Sequence, residues 1–426
     1  MDQTVTRADS LRGEVILPAD KSIAHRAALF AALGDGSSVV SGFPNSADPR
    51  STLSCLRQLG VEMREEQPGR VTIVGKGLYG LQPPAAPLDC GNSGTTMRLL
   101  AGILAGQRFA STLTGDASLT RRPMERIATP LGLMRATLTL SGGHAPITIA
   151  PSDGLAGIRY ALPVASAQVK SCVLLAGLYA DSTTTVVERH ASRDHTERML
   201  GLPVENHAGT RRIHIEPGHH IPAVDREVPL DFSAAAFFLV GGSVAPDSIV
   251  TMPGVGLNPS RCALLEVLGA MGADIRIRRR RVQAGEPIGD VTVRSAQLRG
   301  VSIGGAVIPN LIDEIPVLAI AAACAEGRME VRGAAELRVK ETDRIHAITT
   351  NLRALGAVVE EFEDGFAVTG PQPLTGTVVD SFGDHRIGMA MGIAGLVAAG
   401  ATTVRRAAAA AVSYPAFWQD LERLAS

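Results

Sequence analysis

The chain is poor in aromatics and in organised sulfur. Phe, Trp and Tyr make up 4% of its 426 residues, so its cores must be filled by Ala, Leu, Val and Ile. The 5 cysteines (Cys55, Cys90, Cys172, Cys262, Cys324) are scattered, without a CxxC pair or Cys/His metal spacing. Such a set is expected to be reduced thiols in a cytoplasmic protein, not a disulfide framework or a metal site. An excess of one charge is also missing. With 41 Lys+Arg against 42 Asp+Glu there is no global drive toward nucleic acid or an anionic membrane, and neither is expected as a partner. No uninterrupted apolar run reaches membrane-spanning length, and Met1 to Ser10 is polar with charges of both signs, unlike a secretory signal.

What is present is a repeat. Six times, about seventy residues apart, a polar or charged cluster opens into an almost uncharged Ala/Leu/Gly-rich run. The openings are Asp20-Lys21-Ser22, Gly91-Asn92-Ser93-Gly94-Thr95, Ser166-Ala167-Gln168-Val169-Lys170, Asp231-Phe232-Ser233, Asn310 to Glu314, and Asp384-His385-Arg386. A buried helix with a wet N-terminus presents free N–H groups and a positive dipole end to an anion. The spacing therefore predicts helix ends gathered around negatively charged ligands. The segment Gly91 to Gly94 matches neither the Walker pattern nor GxGxxG, so nucleotide cofactors are not expected.

A second helix set alternates with the first: Leu53 to Met63, Arg126 to Leu138, Thr196 to Glu205, Pro259 to Ile275, Arg344 to Glu360 and Phe417 to Ala425. Four of these carry Leu-Gly near their ends (Gly60, Gly132, Gly269, Gly356), which reads as a glycine stop. Short β-branched runs such as Val71 to Val74, Ile147 to Ile149, Thr184 to Val187 and Val291 to Val293 lie between. Six such units in a chain of this length divide most simply into two domains of three, with a hinge in the Pro-rich stretch Ile221 to Pro229. The competing reading is an ordinary α/β enzyme whose helices resemble one another by chance.

The densest polar constellation is Leu337 to Arg344. Helical spacing would put Lys340 and Arg344 on one face with Glu341 beside them, either as a solvated ion-pair network or as part of a site. Other cations occupy comparable points in their own units: Lys21 with Arg26, Arg98, Arg121 with Arg122, Arg193, and His385 with Arg386. Such a set suits phosphates and carboxylates. Asp313, Glu314, Glu341 and Asp384 stand against them as structural partners or proton-transfer groups. Asp313 precedes an apolar helix and is either an N-cap or a base. Arg276 and Arg278 to Arg281 begin in alternation with Ile275 and Ile277, as on the wet face of a strand, and His219-His220 reads as a loop.

Taken together, Asp20 to Arg26, Gly91 to Arg98, Arg122-Pro123-Met124, Ser166 to Ser171, Arg338 to Arg344 and Asp384-His385-Arg386 resemble the 5-enolpyruvylshikimate-3-phosphate synthase family, in order and spacing, over nearly the whole chain. The resemblance implies a two-domain α/β enolpyruvyl transferase fold, an inside-out α/β barrel with three βαβαββ repeats per domain. Residues 18–228 would form one domain and 1–17 with 229–426 the other, with the active site in the cleft between them. It implies a monomer that joins shikimate 3-phosphate to phosphoenolpyruvate and releases phosphate without metal or organic cofactor.

By the same resemblance, Lys21, Ser22, Arg26, Ser166, Ala167, Gln168, Ser192, Arg193, Asp313 and Lys340 would hold shikimate 3-phosphate. Lys21, Gly94, Arg122, Gln168, Arg344 and Arg386 would hold phosphoenolpyruvate. Asp313, Glu341, Lys21 and His385 would carry the proton transfers. Gly94, free of a Cβ, implies sensitivity to glyphosate at the phosphoenolpyruvate site. Some positions depart from other members: Ala167, Glu336, His195, Leu99 and Val412 stand where relatives carry Ser, Asn, Tyr, Pro and Lys. The sister enzyme acting on UDP-N-acetylglucosamine carries a reactive Cys before an Arg-Pro proline. Gly115 to Pro123 contains none, and Lys21 is followed by Ser and not Asn. A non-catalytic binding domain or a specialised paralogue is the remaining alternative.

Overall fold

The computed structural model describes residues 1–207, 209–283 and 285–425. The chain forms two compact units. The first comprises Ala19–Pro229 with Gln283–Glu286, and the second comprises Met1–Pro18, Leu230–Val282 and Pro287–Ser426.

Six helices form the interior of the two units. They are α1 (Lys21–Leu33), α2 (Gly94–Leu104) and α3 (Ala167–Gly177) in the first, and α4 (Phe232–Val244), α5 (Ile315–Cys324) and α6 (His385–Gly395) in the second. Their sequences lack a polar stripe, and they are accordingly buried on nearly every side, as a helix apolar all round must be. Close approach is built in by glycine. A Cβ at Gly102 of α2 would lie 2.2 Å from the carbonyl oxygen of Cys172 on α3. Five of the six begin with a side-chain cap. Asp20, Ser93, Ser166, Asp231 and Asp384 accept from the backbone N–H of Ile23, Thr96, Val169, Ser233 and Arg386, each cap contributing about 0.5–2 kcal/mol. α5 follows Glu314 without one.

Sheets cover these helices, one per repeat. In the first unit, Leu88–Asp89 pairs parallel with Ser111–Thr114, which pairs antiparallel with His144–Ile149, which pairs antiparallel with Leu138–Ser141. With α2 and Glu125–Leu133 between the strands this is a βαβαββ unit. The sheet containing Arg159–Ala161, Thr184–Glu188, Thr210–Ile215 and Val204–His207 repeats the pattern. The remaining sheet of this unit closes with a distant strand: Arg226–Glu227 pairs parallel with Ser37–Ser41. The second unit does likewise at the chain start. Arg12–Glu14 pairs parallel with Ile249–Gly256, and Gln3–Thr6 pairs antiparallel with Ala401–Arg405. Strands from opposite ends of each unit's sequence thus close its set of repeats.

The expected second domain, 229–426 with 1–17, is interrupted at residues 283–286. Glu286, expected in the second domain, belongs to the first unit, where its Oε1 lies 2.8 Å from His195 Nδ1, both side chains buried. Four helices of the second set are shorter than expected, Glu125–Leu133, His195–Leu200, Ala263–Ala270 and Arg344–Ala354; Ala47–Gln58 begins and ends earlier than the expected Leu53 to Met63, and Phe417–Ala425 is as expected. The apolar residues beyond most of these ends belong to the next strand. Gly60 and Gly356 are the left-handed stops anticipated (φ 82° and 91°), but Gly132 and Gly269 lie inside their helices. The left-handed positions there fall to Arg135 (φ 70°) and Gly272 (φ 94°). Arg276 and Arg278 are exposed on their strand, as read.

Candidate functional site

In the first unit the openings of α1, α2 and α3 are bound to one another. Arg26, on the second turn of α1, donates from Nε to Thr196 Oγ1 (2.7 Å), from Nη2 to Ser171 Oγ on α3 (2.8 Å) and from Nη1 to the Ser22 carbonyl (2.9 Å). Burial lowers its pKa to about 10, with the charge of Arg193 pushing the same way, so it stays cationic at neutral pH. Arg98 of α2 donates to Gln168 Oε1 on α3 at 2.6 Å, and Gln168 returns a bond from Nε2 to Thr95 Oγ1 at 2.9 Å. Arg122 donates from Nη2 to Asn92 Oδ1 at 2.8 Å. A Cβ added to Gly94 would lie 2.9 Å from Arg98 Nη1 and 3.2 Å from Arg122 Nη1, which places both guanidinium groups against the α2 N-terminus.

Lys21 is the first residue of α1, and its ammonium is 3.1 Å from Asp48 Oδ2, both only slightly exposed. Behind it runs a buried chain: His25 Nδ1 to Thr52 Oγ1 (2.7 Å), Thr52 to Thr96 (2.7 Å), and Thr96 Oγ1 to Ser93 Oγ (2.8 Å). Burial, with the charges of Lys21 and Arg26, lowers the His25 pKa to about 3, so the ring is neutral and serves as a hydrogen-bonding spacer between the α1 and α2 openings. Ser166 caps α3, which leaves Ala167 and Gln168 in its first turn. Ser192 and Arg193 lie in the segment between the strand Thr184–Glu188 and the helix His195–Leu200. Lys21, Ser22, Arg26, Gly94, Arg122, Ser166, Ala167, Gln168, Ser192 and Arg193 all fall in this unit.

The second unit centres on Arg344, which is buried. Its Nε donates to Asp384 Oδ2 (2.7 Å), Nη2 to Glu341 Oε2 (2.7 Å) and Nη1 to Asp313 Oδ1 (3.2 Å). Desolvation opposes its charge, but these three carboxylates more than offset that and raise its pKa. Arg386 donates to the Asp313 carbonyl (3.1 Å) and lies 3.5 Å from Asp313 Oδ2 and 3.8 Å from Glu314 Oε1. Asp384 and Glu314 are fully buried, whereas the Asp313 and Glu341 side chains keep 15% and 19% exposure, so these two carboxylates can meet a ligand. His385 is buried at the first turn of α6, with Nδ1 3.9 Å from Asp384 Oδ1.

Two expectations change here. Lys340 and Arg344 do not share a helical face, because Lys340 ends the 3-10 turn Ala335–Val339 in an extended conformation and the next helix starts at Arg344. Asp343, which accepts from the His346 N–H at 3.0 Å, caps that helix. Lys340 nonetheless lies close enough to Asp313, Glu336 and Glu341 to be stabilised by them, while desolvation, the larger influence, lowers its pKa. Asp313 is not the cap of α5; Glu314 occupies that position, and the Asp313 carboxylate is turned to two arginines.

Asp48 and Arg261 were not anticipated as supports. Arg261 donates to Ser233 Oγ at 2.6 Å, and Ser233 donates to Glu314 Oε1 at 2.6 Å, which braces the carboxylate beside Arg386. An acid in the first turn of a helix was the only local signal for Asp48, and Arg261 gave none. One GxGxxG string, Gly75 to Gly80, follows the strand Arg70–Val74 but opens no helix, so it lacks the dipole that this pattern uses. Among the described residues no cluster of three or more His, Cys, Asp or Glu has metal-binding geometry.

The model of the family EPSP synthase (3-phosphoshikimate 1-carboxyvinyltransferase) matches residues 5–421. The chain is 62% identical to the 3-phosphoshikimate 1-carboxyvinyltransferase of Salinibacter ruber, over 100% of this chain and 99% of that one. It is 50% identical to that of Synechococcus sp., over 99% and 96%. The EPSP synthase of Acinetobacter baumannii superimposes with a TM-score of 0.87 at 42% identity, over 99% and 98%. The enolpyruvyl transferase NikO of Streptomyces tendae, at 20% identity and a TM-score of 0.75, shares the fold. The chain belongs to the EPSP synthase family, and it is an enzyme that transfers the enolpyruvyl group of phosphoenolpyruvate to shikimate 3-phosphate in aromatic amino acid biosynthesis.

Proposed function

We propose that the transfer proceeds by addition and elimination, with the two groups of residues acting on the same substrate pair. Lys21, Ser22, Arg26, Ser166, Ala167, Gln168, Ser192, Arg193 and Lys340 hold shikimate 3-phosphate. Lys21, the Gly94 N–H, Arg122, Gln168, Arg344 and Arg386 hold phosphoenolpyruvate. The 5-hydroxyl oxygen bonds to C2 of phosphoenolpyruvate as its proton passes to Asp313, and C3 takes a proton from Glu341 or Lys21. The C2–O bond to phosphate then breaks as a C3 proton returns to the base, which leaves the enol ether and inorganic phosphate. Arginine stabilises the charge on the departing group. His385, at the first turn of α6 beside Asp384, completes the proposed proton-transfer set.

The observation that carries this reading is the release of Asp313 from helix capping and its attachment to Arg344 and Arg386. A carboxylate held by two arginines, with part of its surface still exposed, is oriented, as a base must be. Asp313→Asn keeps the hydrogen-bonding shape and removes the base. Turnover measured by phosphate release should fall by about 10²–10⁴. Near-normal turnover would remove Asp313 from proton transfer.

Glyphosate is proposed to compete with phosphoenolpyruvate, because a hydrogen at Gly94 leaves Arg98 and Arg122 undisturbed at the α2 N-terminus. The absence of Cys from Gly115 to Pro123 favours the shikimate substrate over UDP-N-acetylglucosamine.

A further inference from the structure

Lys170 has no role in the assignments above, yet it is one of the largest fully buried side chains in the protein. It stands on α3, between Val169 and Ser171. Its ammonium donates to Glu197 Oε1 (2.7 Å), to Glu188 Oε2 (3.2 Å) and to the main-chain carbonyl of Ser192 (3.4 Å). Glu188 ends the strand Thr184–Glu188 and Glu197 lies in the helix His195–Leu200, so Lys170 grips both ends of the irregular segment between them and its middle. Glu188 Oε1 accepts from the Ser192 N–H (3.3 Å) and from the Ser192 hydroxyl. Arg211 completes the charge balance, 3.6 Å from Glu188 and 3.8 Å from Glu197.

Buried ions are costly to desolvate and persist only where each is paired, so removing one partner disturbs whatever the others hold. What they hold here is the segment that carries Ser192 and Arg193. The Ser192 hydroxyl adds a second constraint. Its proton is directed to Glu188, and a phosphate dianion can only accept, so that proton must leave Glu188 when phosphate arrives. Glu188 then needs another donor, and the Lys170 ammonium is already in place.

We propose that Lys170 is a positioning residue for phosphate recognition: it fixes residues 189–194 so that Ser192 and Arg193 meet the 3-phosphate, and it neutralises Glu188 when Ser192 turns to the ligand. This rests on the assignment of Ser192 as a phosphate ligand. Shikimate, which lacks the phosphate, separates positioning from general structural support.

The experiment is calorimetric titration of the full-length enzyme with shikimate 3-phosphate and, separately, with shikimate. In Lys170→Met the affinity for shikimate 3-phosphate should fall about tenfold or more, while that for shikimate stays within about twofold. The KM for shikimate 3-phosphate should rise with little change in kcat or in the KM for phosphoenolpyruvate, and Lys170→Arg should recover part of the loss. Should Lys170→Met fold poorly, Lys170→Met/Glu197→Gln restores the charge balance and should show the same phosphate-selective loss. Equal weakening toward both ligands, or none, would overturn the positioning role. Ser192→Ala serves as the reference. If it weakens shikimate 3-phosphate binding while the Lys170 variants do not, the positioning role alone fails. If it leaves binding unchanged, the assignment of Ser192 fails and the proposal with it.

Discussion

The two units hold their arginines in different ways. In the first, Arg26, Arg98 and Arg122 donate to hydroxyls, side-chain amides and main-chain carbonyls. Such acceptors orient a guanidinium, so that it is held in place before any ligand arrives. In the second, Arg344 lies among Asp384, Glu341 and Asp313, and Arg386 lies against Asp313 and Glu314. There each guanidinium is met by carboxylates, and it fixes the two partly exposed ones, Asp313 and Glu341, in place. The arginines proposed to bind substrate are thus oriented by hydroxyls, amides and carbonyls in one unit, whereas in the other they also hold the carboxylates proposed for proton transfer.

Stability separates the two kinds of arginine most sharply. Arg344→Met leaves Asp384 buried without its partner and should cost about 3–5 kcal/mol. Arg26→Met leaves hydroxyls that can turn to one another and should cost about 1–3 kcal/mol. Urea unfolding of both variants measures the difference, and equal losses would break the comparison.

Acid should act through the first unit. His25 has a folded-state pKa of about 3 against an ordinary 6.5, so below 6.5 protons bind the unfolded chain in preference. Its contribution is complete above about pH 6.5 and is lost as pH falls toward 3, by at most about 1.4 kcal/mol per pH unit. Urea unfolding at pH 7, 6 and 5 should therefore show a shallower decline in His25→Gln than in the parent. Parallel declines would show that His25 does not remain neutral in the fold.

A smaller effect is expected at Gly94. Its replacement by Ala puts a Cβ against the tips of Arg98 and Arg122, flexible groups that can yield. The KM for phosphoenolpyruvate should rise about threefold to tenfold, equivalent to ~1 kcal/mol, with partial relief of glyphosate inhibition. The check is a glyphosate titration at varied phosphoenolpyruvate and fixed shikimate 3-phosphate. Inhibition of the parent that is not competitive with phosphoenolpyruvate would separate Gly94 from that site.

The inner helices were legible because their signal is local: a capping Asp or Ser, then an apolar run too long and too uniform for a surface helix. The strands that close each unit were not. Arg12–Glu14 and Arg226–Glu227 are too short to show a period, and their partners are distant in sequence. Gly132 and Gly269 misled because a Leu-Gly pair has the same appearance inside a helix as beyond its end. Whether Asp313 caps its helix could not be read from residues 313 and 314 alone; Glu314 takes that position, and the Asp313 carboxylate meets Arg344 and Arg386, supplied from elsewhere in the chain. Lys170 read as part of a wet helix opening, and only the partners at 188 and 197 reveal why it is buried.

The most direct test of these roles is calorimetric titration of shikimate 3-phosphate into Arg26→Met and Asp313→Asn. Arg26→Met should bind at least about thirtyfold more weakly, having lost a cation, whereas Asp313→Asn should bind within about threefold of the parent. Retained binding in Arg26→Met together with lost binding in Asp313→Asn would contradict the assignment of shikimate 3-phosphate binding to Arg26 and of proton transfer to Asp313.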